Sequence, residues 1–162
     1  MADSADLYDR DFFLWTQEQS AALRRAKDSN LPLDWENLAE EIESLGKSQR
    51  AELNSQVRRI LRHLLKLESS PASDPRAGWR ATILDARTEL EDLLENSPSL
   101  RREIDRTVRK QLHAAAKLAT ADLEQHQEPT GGVQARLDRG GFTAQQVIED
   151  WFPGPGHDVA ST

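Results

Sequence analysis

The chain has 162 residues, 30% of them charged and 37% apolar, a formal net charge of -7 and no cysteine. That length suits one domain with a single core, while the lack of cysteine excludes disulfides, thiolate catalysis and thiolate zinc sites. The acidic balance argues against a DNA partner, because binding duplex phosphates requires an excess of cations.

The first periodic segment covers about 6–28, where Tyr8, Phe12, Trp15, Ala22 and Ala26 recur at three- and four-residue steps and Asp6 is a candidate N-cap. A second helix is expected from Asp34, with Trp35, Leu38, Ile42 and Leu45 on its inner side. Gly46 interrupts it, yet the apolar phase continues through Leu53, Val57, Ile60, Leu64 and Leu67. One long helix, bent or briefly broken at Gly46, accounts for this better than two. "SSPASDP" is a loop whose Asp74 and Pro75 suit the start of a third helix, with a stripe of Trp79, Ile83, Ala86, Leu90 and Leu94. A fourth follows Ser97 and Pro98 with Leu100, Ile104, Val108, Leu112, Ala115 and Ala119, and ends near Gln127 before Pro129, Gly131 and Gly132. Finally, Thr143 and Gln146 stand at capping-box spacing ahead of Val147, Ile148, Trp151 and Phe152. The fold expected is all-α: an antiparallel four-helix bundle over 1–128 with a long bent second helix, an irregular linker over 129–141, a short docked C-terminal helix over 142–153 and a flexible tail over 154–162, together one domain.

"YDRDFFLWTQEQ", "DWENLAEEIESLG", "HLLKL", "WRATI", "NSPSLR" and "TAQQVIEDWFP" occur in an order and spacing that resemble the bacterial family catalogued as domain of unknown function 29 (DUF29). The likeness covers roughly residues 8 to 153. It implies an all-helical fold, found in cyanobacteria and proteobacteria, and no established activity. "KLESSPASDP" departs from the family's pattern, where many relatives carry an aromatic after the Lys.

The acidic residues decide between enzyme and binding protein. Helix-borne carboxylates can hold Mg2+ only if they converge across helices. Glu36, Glu40 and Glu43 fall roughly 120 to 180 degrees from the apolar stripe of the second helix, and so face water. Glu41 and Glu52 fall on the flank of that stripe and call for partners. Arg80 and Arg87 flank the third helix's stripe and can pair bidentately, so Glu41 is expected to bridge to one of them. Asp11, beside Phe12, joins this set of pocket candidates, although a first-turn helix acid exposed to water is the plainer reading.

His63, His113, His126 and His157 form no Glu-x-x-His or His-x-x-x-His pair, no serine sits in a nucleophile elbow and no phosphate-binding glycine loop occurs. No metal and no cofactor is therefore expected. Arg58, Arg62 and Lys66, and likewise Arg102, Arg106, Arg109 and Lys110, form cationic stripes expected to face solvent and pair with nearby acids.

The leading expectation is a non-catalytic interaction or adaptor protein, with Trp151 and Phe152 as partner-binding candidates if they do not dock on their own chain. The alternative is a metal-dependent nucleotide hydrolase or small-ligand pocket using Glu41, Glu52 or Glu89 with Arg87. The helix faces are compatible with a protein partner and with a homodimer. No apolar run approaches the roughly 20 residues that span a bilayer, and "MADSADLYDRDFF" lacks the basic and apolar regions of a leader, so a cytoplasmic protein without a membrane partner is expected.

Overall fold

A computed structural model describes residues 4–154. The tail from residue 155 onward, with His157, lies outside them. Among the described residues all regular structure is helical: α1 (Ser4–Arg10), α2 (Phe12–Arg25), α3 (Trp35–Ser69), α4 (Arg76–Asn96), a 3-10 segment (Pro98–Glu103), α5 (Ile104–Gln125), α6 (Gly131–Asp138) and α7 (Ala144–Ile148). The chain groups into two compact units, one of Met1–Leu53 with Glu91–Glu103 and one of Asn54–Leu90 with Ile104–Thr162. The helices α3 and α4 each contribute to both.

In the first unit, the helix expected over 6–28 is divided at Asp11. This residue leaves helical geometry at φ -155 and ψ 89, and its carboxylate accepts from the Leu14 N–H, capping α2. An N-cap must have non-helical dihedrals, so a residue that caps α2 cannot also continue α1. Asp6, expected as the cap of the first helix, lies inside α1 and pairs with Arg10. Asp34 does cap α3, accepting from the Asn37 N–H at 3.3 Å.

The helix α3 runs through Gly46 without a break. A Cβ at Gly46 would lie 2.4 Å from Thr16 Oγ1, so glycine lets α2 approach where any side chain would collide. This close approach also turns the buried face of α3. Ala39 and Gly46 point inward, whereas Leu38 and Leu45, expected at the centre of the core stripe, are 41% and 46% exposed.

The second unit has the larger core. Val57, Ile60, Leu61, Leu64, Leu65 and Leu67 of α3 have no exposed surface, and Ile83, Ala86 and Leu90 of α4 and Val108, Ala115, Ala119 and Leu123 of α5 are buried as well. Each of the valine, leucine and isoleucine side chains among them contributes about 1.5–3 kcal/mol relative to exposure. The C-terminus of α5 closes in a Schellman motif, with Gln127 at φ 56 and the Glu128 N–H donating to the Leu123 carbonyl at 2.8 Å.

The segment 129–141, expected to be irregular, contains α6. Pro129, Gly131 and Gly132 read as helix breakers, but Gly131 opens the helix and Gly132 lies against Ser69, whose Cα would sit 2.6 Å from an added Cβ. Arg136 then holds the helix through Glu68, with Nε donating at 2.7 Å. The last helix, α7, starts at the capping box of Thr143 and Gln146 as expected, yet stops at Ile148 rather than reaching Phe152.

Candidate functional site

Asp11 is 8% exposed, not the solvated acid of the plainer sequence reading. Besides capping α2, it accepts from the Ser99 N–H at 2.7 Å and the Ser99 hydroxyl at 2.8 Å. Next to it, Ser97 Oγ accepts from the Phe13 N–H at 3.1 Å. One buried carboxylate thus ties the start of α2 to the 3-10 segment, which is a structural use of its lone pairs.

Glu41 and Glu52 are exposed rather than half-buried, because the buried face of α3 is turned away from the one that the leucines suggest. Glu36 and Glu40 are exposed as expected. Glu43 is half-buried and accepts from Arg24 at 3.1 Å, which holds its carboxyl below the usual carboxylate range, with Lys47 adding to the effect. Among the described residues no group of three or more His, Cys, Asp or Glu is placed to hold a metal ion.

Arg87 is 8% exposed, and in place of the expected pair with Glu41 it binds backbone carbonyls. Its Nε donates to the Val147 carbonyl at 2.9 Å, and its Nη2 donates to the carbonyls of Gln146 and Trp151 at 2.9 and 2.7 Å. The last carbonyls of a helix lack intrahelical donors, and Arg87 supplies them, which is why α7 can end at Ile148. Phe152 lies under two guanidinium groups, 4.5 Å from Arg80 and 5.0 Å from Arg87. Trp151 packs edge-on against Phe142 with ring centroids 6.1 Å apart. Both of these aromatic candidates are half-buried within the second unit. Burial pushes the pKa of Arg87 down, but a guanidinium stays cationic under any physiological condition.

The cationic stripe of α3 does not lie in open solvent. Lys66 is buried, and Arg62 binds Asp122 bidentately at 2.6 and 2.7 Å. His63 is half-buried and donates from Nδ1 to the Arg59 carbonyl at 2.9 Å. Burial pushes its pKa below the ordinary histidine value, with the charges of Lys66 and Arg62 acting in the same direction. The unfolded chain therefore binds a proton that the folded chain resists. Stability contributed by neutral His63 is present above about pH 6.5 and is lost as pH falls toward the folded value. Chemical denaturation at pH values between about 7 and 5 should show stability declining, with a flatter decline in His63→Gln; an unchanged slope would remove His63 from this role.

The first unit also exposes several large apolar side chains. Tyr8, 50% exposed, meets Trp15 edge-on with centroids 4.9 Å apart, and Phe12 stacks on Trp15 at 5.9 Å. Leu31 and Leu33 are exposed just before α3. Leu38 and Leu45 are seven residues apart and so share one helical face. The leucine period was legible in the sequence; what could have revealed its exposure was the matching period of small residues at Ala39 and Gly46.

The profile of the family described as Domain of unknown function DUF29 matches residues 7–152. Comparison with curated proteins gives no match. Among solved structures, the chain is similar to an alpha-helical protein of unknown function from Rhodospirillum rubrum, at 30% identity and a TM-score of 0.71 over 90% of this chain and 91% of that one. Among the described residues no helix is long and apolar enough to cross a membrane. With its family profile matched from Leu7 to Phe152, the chain belongs to the DUF29 family.

Proposed function

We propose that the protein is a non-catalytic interaction module that docks a helical protein partner on the apolar surface of its first unit. One observation carries this reading. Of the seven large hydrophobic side chains exposed among the described residues, five, Tyr8, Leu31, Leu33, Leu38 and Leu45, belong to the first unit, and only Leu84 and Leu118 to the second. Single exposed leucines are ordinary, but a concentration of them marks interaction surfaces. An amphipathic helix from a partner would meet Leu38 and Leu45 with its own apolar stripe.

The hydrolase alternative needs carboxylates available to converge on one ion. Four of the five half-buried ones among the described residues are instead bonded to cations, Glu43 to Arg24, Glu103 to Arg50, Glu68 to Arg136 and Asp122 to Arg62, and the fifth, Glu128, accepts from the Ser70 hydroxyl. That use of the acids favours the interaction module.

The test is affinity purification of full-length protein from cells that naturally make it, with two double variants for comparison. Leu38→Gln/Leu45→Gln should keep the wild-type melting temperature and weaken partner binding by about tenfold or more. Leu84→Gln/Leu118→Gln should retain the partner. Equal retention by both variants contradicts the proposal, as does loss of the partner only in the second.

A further inference from the structure

The second unit contains a cleft of about 640 Å³, a volume suited to a small organic ligand. It is lined by Arg62 and Lys66 of α3, Asp74 of the turn before α4, Trp79 of α4, Asp122 of α5 and Glu128 beyond it. The cleft joins charges of both signs to an aromatic plate.

Its inner charges are unequally matched. Arg62 takes both oxygens of Asp122, and Lys66 Nζ reaches Oδ2 of the same carboxylate at 3.2 Å. Two cations therefore share one anion, so this inner cluster of three keeps one net positive charge, although Asp74 and Glu128 bring the carboxylates of the whole lining to three against these two cations. The Lys66 side chain is only 11% exposed, with its ammonium 4.8 Å from the centroid of the Trp79 ring. The Trp79 quadrupole eases that burial without neutralising the charge. An ammonium has three donors, and a ligand anion beside it is paired more strongly than it would be in water.

The remaining acids restrict which anion fits. Exposed Asp74 and half-buried Glu128, the latter accepting from Ser70 Oγ at 2.8 Å, line the same cleft. They repel a multiply charged phosphate more than a monoanion. We propose that this cleft binds a small organic monocarboxylate with a planar apolar body, its carboxylate at Lys66 and Arg62 and its body against Trp79. Such a site uses none of the residues proposed for docking and gives the protein a small-molecule input.

Benzoate, benzylamine and inorganic phosphate are the probes, titrated into 15N-labelled full-length protein and followed by NMR at the Trp79 indole N–H, identified by its loss in Trp79→Phe. Benzoate should move that signal and the Lys66 and Asp122 amides saturably, with a dissociation constant of about 1 mM or tighter. Benzylamine and phosphate should bind about tenfold more weakly or not at all, and Lys66→Met should weaken benzoate by about tenfold. Asp122→Asn removes the competing carboxylate and should tighten benzoate, an effect opposite in sign to that of simple damage to the fold. Absence of benzoate binding, equal binding of benzylamine or phosphate, undiminished binding to Lys66→Met, or weaker binding to Asp122→Asn would each overturn the assignment.

Discussion

Replacing Arg87 by methionine is expected to destabilise the protein by about 2–4 kcal/mol, because three carbonyl oxygens lose their charged donor while the aliphatic stem is kept. Two opposing effects set the magnitude. Hydrogen bonds from a charged donor are each worth about 1.5–3 kcal/mol, but the guanidinium also bears a desolvation cost that methionine avoids. One of its nitrogens, Nη1, is buried without a partner, so part of that cost is not repaid in the native protein. The bonds to Gln146, Val147 and Trp151 nevertheless outweigh it, since removing the donor strands all three acceptors, two in the last turn of α7 and one beyond it. For a chain of this length the loss corresponds to a fall in melting temperature of about 5–15 °C. Amide exchange over 142–153 should accelerate as the segment loosens. Arg87→Lys should be intermediate, because an ammonium cannot reproduce the planar fork. A methionine variant that melts with the wild type would mean that Phe152 and its neighbours dock without the arginine.

The second large effect is expected at Asp11. Asp11→Ala removes the acceptor for the N–H groups of Leu14 and Ser99 and for the Ser99 hydroxyl. Loss of an N-cap alone costs about 0.5–2 kcal/mol, and stranding the donors of Ser99 should bring the total to about 2–4 kcal/mol. Asp11→Asn is the sharper variant. Its amide oxygen can replace Oδ1 toward Leu14 N–H and the Ser99 hydroxyl, but its NH2 group then faces the Ser99 N–H that Oδ2 now accepts. Denaturant titration should place Asn between wild type and Ala. Equality of Asn with wild type would mean that the Ser99 N–H bond adds nothing.

These two residues also mark how far the sequence could be read. Both stood among the polar candidates because they flank apolar positions, and both proved buried. Their partners were not legible, since backbone carbonyls, amide groups and a distant serine leave no pattern in composition or period. The later elements were readable where local chemistry dominates: the apolar phase of Val57 through Leu67 is fully buried, and Thr143 with Gln146 forms its capping box. Reading failed where tertiary contact overrides local preference. Asp11 sits within an unbroken aromatic phase of Tyr8, Phe12 and Trp15, which hid the boundary between α1 and α2. Gly131 and Gly132 suggested a loop, because nothing nearby announces that Ser69 requires a residue without a Cβ.

The inner face of α3 departs from the leucine stripe for a related reason. A helical wheel weighs leucines as core, yet α2 packs where Gly46 leaves room and Ala39 is the buried residue one period earlier, so Leu38 and Leu45 remain outside. The same inversion motivates the proposed docking surface. An apolar stripe regular enough to predict a core, but left open to water, has the composition of half an interface.

Hydrogen–deuterium exchange of the full-length protein, alone and bound to the partner that purifies with it, tests the interaction module most directly. Protection on binding should concentrate between residues 8 and 45, above all in the peptides containing Tyr8, Leu38 and Leu45. Protection confined to residues 54–90 and 104–154, with the first unit exchanging as it does alone, would contradict the account.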